Sequence, residues 1–261
     1  MLKDNIDFDK VALFTLNNMM LSMQGWLKGR PTDEVALMNR LTENFSKLRR
    51  GCDIGIRDKF LMTTQTALLH RKGDNQVDLY GADLAITLYI DETFIKTALF
   101  QLKKGSDFSA GLERRQLNQG LSHEAYKNKS FVMYADEIKA SIRIKSISKI
   151  IDEFNSTQET KKFDVMSWLS LVEWLQKWLS CEEGELSDIN DKNSVEKLLQ
   201  EFVVEDSWIS PWGFDAESTV FDANINSNTI FPAKAWLVIL FENKNSDTSL
   251  KKKYGRDNNF K

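Results

Sequence analysis

The sequence predicts an α/β protein built on a mixed sheet, and three features carry that prediction. Stretches with helical spacing of apolar residues, at 8–27 and from 32 to about 50, precede short runs rich in β-branched and aromatic residues. The elements then alternate as helix, helix, strand, hairpin, helix, strand, strand, an order that suits a sheet carrying both parallel and antiparallel neighbours. At 261 residues, with 42% hydrophobic and 28% charged side chains, the chain is large enough to cover both faces of such a sheet.

The first helix is expected over 8–27, with Val11, Phe14, Met19, Met23, Trp26 and Leu27 among its apolar positions, and Gly29-Arg30-Pro31 breaks it. The second starts after Pro31, capped by Thr32 or Asp33, and ends before Gly51. Val35, Met38, Leu41, Phe45 and Leu48 form its apolar stripe. At about 100° per residue Glu34 falls within that stripe. An inward carboxylate there needs a partner, a metal or a protein–water edge, unless it only favours the helix's positive end. Residues 52–72 give a strand-and-turn pattern without a clear period.

Gly81–Gly105 (GADLAITLYIDETFIKTALFQLKKG) reads as a hairpin, with Asp91-Glu92-Thr93 its only polar break. A three-residue loop there pairs Ile90 with Phe94 and places Asp83 opposite Gln101. Alternation then puts Asp83, Gln101 and Lys103 on one face, while Leu84, Ile86, Leu88, Ala98, Phe100 and Leu102 turn to the other. Beyond the hairpin the spacing predicts a helix over roughly 109–125, interrupted by Gly111 and Gly120. Strands at SFVMYADE (130–137) and ASIRIKS (140–146) and a short helix at SKIIDEFNS follow.

From Phe163 the character changes. FDVMSWLSLVEWLQKWLSC is apolar nearly all round, with Trp168, Trp174 and Trp178 within eleven residues, and predicts a helix buried in its own core or in a partner. An acidic loop, a capped helix from Ser194, a loop with Trp208, Pro211, Trp212 and Gly213, and a buried strand at 233–242 complete the pattern. Composition divides the chain into a core at 1–155, an acidic, mainly helical, Trp-rich assembly region at 156–243, and a basic flexible tail at 244–261. The division follows charge. Residues 1–155 hold 23 Lys/Arg against 20 Asp/Glu, residues 156–243 hold 6 against 16, and the tail holds 6 against 2. A nucleic-acid partner would approach the basic core, because the acidic segment repels phosphate.

Several chemistries find no support. Cys52 and Cys181 form no CxxC pair, and His70 and His123 lie far from both, which disfavours a disulfide framework and zinc. No Ser/His/Asp or Cys/His spacing suggests a nucleophile. No apolar run approaches the roughly 18 residues of a membrane span, and the N-terminus lacks a signal peptide's basic start and apolar core. The expected setting is the cytoplasm, with no membrane partner.

The polar end of the hairpin is either an ordinary solvated sheet end or a metal-dependent phosphodiesterase site. In the second case Asp83 is the anionic metal ligand, Gln101 a neutral carbonyl ligand beside it, and the Leu102 backbone carbonyl a third. Lys103 orients or deprotonates the attacking water and balances phosphate charge, and Glu34 completes the site directly or through water. Lys104, with Arg114, Arg115 and Gln116 on the following helix, are the candidate DNA contacts.

Asp83 followed by a hairpin return ending in Gln101-Leu102-Lys103 resembles the PD-(D/E)xK nuclease superfamily in its QxK form. The helix with Glu34 and the helix with Arg115-Gln116-Leu117 fit that layout, over residues 30–150. Within the superfamily the chain is most similar to nuclease subunits of bacterial anti-phage defence systems of the CBASS-effector and Lamassu type. The resemblance implies a restriction-endonuclease-like core, a Mg2+- or Mn2+-dependent DNA endonuclease, and a homo-oligomer controlled by a protein partner such as an ATPase or sensor subunit. The chain departs from the older pattern in having Gly81-Ala82 where Pro can precede the Asp, and Gln as second ligand. The alternative is an inactive scaffold or regulatory subunit that binds a protein partner through its Trp-rich region.

Overall fold

A long amphipathic helix opens the described structure. The computed structural model describes residues 8–28, 37, 40, 52–53, 60–68, 81–91, 94–122, 126–186, 233 and 235–243. Helix α1 (Phe8–Lys28) buries Val11, Met19 and Met23, as the apolar spacing requires, together with Thr15, Asn18 and Ser22. These polar residues are accommodated by bonds within the helix: Asn18 Nδ2 donates to the Phe14 carbonyl at 2.8 Å and Ser22 Oγ to the Asn18 carbonyl at 2.7 Å. Of the second expected helix, Leu37 and Arg40 are described, both helical, the first buried and the second exposed.

The strands are β1 (Cys52–Asp53), β2 (Phe60–Leu68), β3 (Leu84–Asp91), β4 (Phe94–Gly105), β5 (Ser109–Glu113), β6 (Ser130–Asp136), β7 (Ser141–Ser146), β8 (Thr160–Asp164), β9 (Leu169–Ser170) and β10 (Ala235–Asn243). Eight of them form one sheet in the order β1-β2-β10-β3-β4-β6-β7-β9, in which β1 and β9 are two-residue edges. Pairing is parallel for β10–β3 and β4–β6 and antiparallel elsewhere, so the sheet is mixed. Strands β5 and β8 pair separately, antiparallel. Helices α2 (Arg114–Leu121), α3 (Ile147–Ile151) and α4 (Leu171–Leu179) complete the described elements.

Alternation along the strands sends two apolar sets to opposite faces, and each is covered by helices. On one face Leu84, Ile86, Leu88, Ala98, Phe100, Leu102, Phe131 and Met133 pack against α1 and α4. On the other, Val132 and Tyr134 pack with Leu117 of α2, Ile147 and Ile150 of α3, and Ala110, Leu112 and Phe163 of the small β5–β8 ladder. The chain is thus α/β, a mixed sheet flanked by helices.

Three local expectations need correction. The helix expected over 109–125 begins only at Arg114. Its first five residues form β5, whose alternation buries Ala110 and Leu112 around exposed Gly111 against β8. The apolar stretch from Phe163 is not one helix either. It runs through β8, a 3₁₀ turn (Val165–Ser167) and β9, and α4 starts where Ser170 and Glu173 form a reciprocal capping box. At the hairpin turn Asp91, not Ile90, pairs with Phe94, and the ladder shifts by one between Tyr89 and Asp91.

The Trp-rich stretch turns inward. Trp168, Trp174 and Trp178 are all buried, Trp174 completely. The Trp174 ring stacks on Trp178 with centroids 5.3 Å apart and meets Phe100 and Phe131 edge-on at 5.1 and 5.4 Å. These three tryptophans serve the protein's own core and present no surface to a partner, while Trp208 and Trp212 lie outside the described residues. Strand β10, from the end of the region set apart by charge, occupies the middle of the sheet between β2 and β3. Lys96 is fully buried and donates to the Trp178 carbonyl at the end of α4, where the helix's exposed carbonyls favour a cation.

Candidate metal centre

Below the turn the hairpin register is the one alternation predicts. Leu84 pairs with Phe100 and Ile86 with Ala98, and one step beyond the strand Asp83 N–H donates to the Phe100 carbonyl at 2.8 Å. The paired register ends at Leu84–Phe100, and Asp83 bonds back to Phe100 rather than to Gln101, while Gln101 and Lys103 share one face of β4. Gly81 sets the approach. Its φ of +66° lies in the region open to glycine, and a Cβ there would meet the Gln116 carbonyl of α2 at 3.4 Å.

Strand β3 starts after Asp83, so among the described residues Leu102 of β4 has no backbone partner on that side. The Asp83 carboxylate substitutes for one: Oδ2 accepts from Leu102 N–H at 2.9 Å. In a strand the N–H and C=O of one residue point to the same side, so the Leu102 carbonyl also faces the space past the end of β3. Asp83 and the Leu102 carbonyl thus belong to one corner of the sheet.

Gln101 is 5% exposed. Its Nε2 donates to Gln116 Oε1 at 3.0 Å, while its own Oε1 is buried with no hydrogen-bond partner among the described residues. A buried carbonyl oxygen without a donor carries a desolvation cost, and a hard cation is one group that offsets it. The donor set of this corner, a carboxylate, an amide oxygen and a backbone carbonyl, is chemically suited to Mg2+ or Mn2+ rather than to a soft metal. Lys103 is half-buried and its Nζ reaches the same Gln116 Oε1 at 3.2 Å. Tyr134 lies beside Lys103 on β6. Burial, with the Asp136 and Asp107 carboxylates next, pushes its phenol above the ordinary value and keeps it neutral. Gly105 leaves room for that ring, since a Cβ there would stand 2.5 Å from the Tyr134 hydroxyl.

The structure thus joins Asp83 to Leu102 and gathers Gln101 and Lys103 on Gln116, the two sets being neighbours along β4. Glu34 lies outside the described residues. The candidate DNA contacts separate. Lys104 points to the opposite face from Lys103 and pairs with Glu137 at 3.0 Å. Arg114 is held by the Asn155 and Ser156 carbonyls at 3.1 and 2.9 Å, whereas Arg115 is exposed. Among the described residues no three His, Cys, Asp or Glu side chains cluster to hold a metal, so the corner's donors are mostly neutral oxygens. No family model matches the chain, and neither does any curated protein or solved structure.

Proposed function

We propose that this chain is a divalent-metal-dependent DNA endonuclease with a restriction-endonuclease-like core, acting as the effector of an anti-phage or anti-plasmid defence complex. The observation that carries this reading is the buried Oε1 of Gln101, which has no hydrogen-bond partner among the described residues and lies one residue from Leu102, whose N–H the Asp83 carboxylate holds, and two from Lys103. Asp83, Gln101 and the Leu102 carbonyl would hold the ion, with Glu34 as a further ligand. When bound, Mg2+ or Mn2+ polarises a phosphoryl oxygen and makes a water nucleophilic. The chain's own part is positional and electrostatic. Asp83 supplies the site's negative charge while keeping Leu102 in place, and Lys103 acts on the face where a scissile phosphate would sit, as an ammonium that orients the water and balances phosphate charge or as the neutral amine that deprotonates the water. With a single described carboxylate in the donor set, phosphate oxygens would complete the coordination, so metal and DNA should bind cooperatively. Arg115 is the exposed cation of α2 suited to the DNA backbone. Control by a partner ATPase or sensor subunit, and self-association, belong to the same proposal.

A second reading, a scaffold that has lost catalysis, draws on the neutral Gln101 and on the absence of an acidic cluster among the described residues. Incubation of supercoiled plasmid with the purified protein, alone and with candidate partner subunits, separates the two. The nuclease reading predicts nicking or linearisation with Mg2+ or Mn2+, none in EDTA, and a loss of about 100-fold or more in Lys103→Ala. Cleavage that persists undiminished in Lys103→Ala would remove Lys103 from the site, and no cleavage under any of these conditions favours the scaffold.

A further inference from the structure

We infer that Gln116 is the positioning residue of this site rather than a DNA contact: its side-chain oxygen, held by Lys103, fixes which end of the Gln101 amide is free. The inference rests on the nuclease reading for its purpose but on hydrogen-bond chemistry for its content. A carboxamide has one accepting end and one donating end of nearly equal size, so its orientation is dictated by its neighbours. Lysine's ammonium only donates. The Lys103 contact at 3.2 Å therefore requires that the atom of Gln116 facing it be the oxygen. The same oxygen lies 3.0 Å from the Gln101 amide, and two carbonyl oxygens do not face each other at that distance, so Gln101 must present Nε2 to Gln116. Its Oε1 is then turned away, buried and without a partner among the described residues.

The polarity thus passes from a cation through two amides and ends in a buried carbonyl oxygen of Gln101, the residue next to Leu102, whose N–H the Asp83 carboxylate holds. An α2 residue that looks exposed sets the donor end of a buried β4 residue. Because α2 also packs Leu117 into the core, Gln116 is held at a fixed height above the sheet. Gln116→Ala removes the acceptor and frees both Gln101 and Lys103. Gln116→Glu, whose two oxygens both accept, preserves the relay.

The test uses the full chain and two readouts. The first is solvent exchange and chemical shift of the Gln101 side-chain NH2, assigned by comparison with Gln101→Ala. The second is Mn2+ affinity, measured by electron paramagnetic resonance of free Mn2+ with a phosphorothioate duplex present, alongside duplex affinity in EDTA. The Gln101 amide should be protected in the wild type and in Gln116→Glu and exposed in Gln116→Ala. Mn2+ affinity should fall about 10-fold in Gln116→Ala, as expected when an outer-shell partner is lost, with rescue in Gln116→Glu and unchanged duplex affinity in EDTA. An unchanged Gln101 amide in Gln116→Ala overturns the relay whatever the enzyme does. A drop in EDTA duplex affinity without a change in Mn2+ dependence makes Gln116 a DNA contact and also overturns it. Amide protection that follows the prediction in a protein that neither binds Mn2+ nor cuts DNA supports the relay and removes the nuclease reading instead.

Discussion

Asp83 has two separable jobs, and replacing it in two ways distinguishes them. Its Oδ2 accepts from Leu102 N–H at 2.9 Å, closing the end of the β3–β4 ladder, and its charge would hold the metal. A hydrogen bond to a charged group contributes about 1.5–3 kcal/mol, and half-burial at a sheet end argues for the lower figure. Asp83→Ala should therefore cost about 1.5 kcal/mol. In a chain of this size each kcal/mol lowers Tm by about 2–4 °C, so the expected drop is about 3–6 °C by differential scanning fluorimetry. Asp83→Asn keeps an acceptor for Leu102, and a neutral bond contributes about 1 kcal/mol, so its Tm should fall by less than about 2 °C. Cleavage should behave differently. Both variants lose the anionic ligand, and both should cut plasmid at least about 100-fold more slowly, the upper end of what losing an outer-shell partner alone costs. An Asn variant as unstable as the Ala variant refutes the structural part of this reasoning. An Asn variant that cuts at the wild-type rate refutes the chemical part.

Three further outcomes are expected. Ser170→Ala removes the α4 cap and should cost about 0.5–2 kcal/mol by urea denaturation at neutral pH. The Ser170 hydroxyl, then the Ser170 backbone N–H, hold Glu173 below its ordinary 4.5, so this carboxylate adds stability above 4.5 that fades as pH falls through its folded value. Ser170→Ala should flatten that acid dependence, and an unchanged acid limb would count against it. Gly105→Ala should destabilise by about 1–3 kcal/mol through the clash with the Tyr134 hydroxyl. Tyr134→Phe, which removes the hydroxyl that a Cβ at position 105 would meet, should soften the Gly105→Ala cost in a double-mutant cycle, so equal costs in both backgrounds contradict the contact. Trp174→Ala should cost about 3–5 kcal/mol, and a loss below 1 kcal/mol would show that the interior ring cluster is misplaced.

Local pattern made much of this architecture legible. The period-two alternation of 84–90 and 94–102 was enough to pair Leu84 with Phe100 and so put Asp83 at the end of that ladder, because a one-residue slip would have turned Phe100 and Leu102 out of the core. Strands β6, β7 and β10 and helix α3 follow from equally plain runs. Pairing between distant segments was not legible. Nothing in AWLVILFEN says that it inserts between β2 and β3, since an evenly apolar strand fits any central position. The Ser-Ala-Gly-Leu-Glu segment was too short to separate a helix start from a strand, and its β8 partner lies some fifty residues away. The Ser170-x-x-Glu173 capping box was a local signal for the start of α4, outweighed by the apolar run around it. At the site, residue types pointed to Asp83, Gln101 and Lys103. The part of Gln116 depended on which face of α2 meets β4, and Lys104 was set apart from Lys103 by the same alternation that placed Gln101.

The central claim is that the Asp83–Gln101 corner holds a catalytic divalent ion. Anomalous diffraction from crystals grown with Mn2+ and an uncleavable DNA duplex tests it most directly. The account predicts an anomalous peak about 2.0–2.2 Å from an Asp83 carboxylate oxygen and from Gln101 Oε1, a distance suited to a small hard cation, and its loss in Asp83→Asn. Crystals with ordered DNA and saturating Mn2+ but no peak in that corner would contradict it.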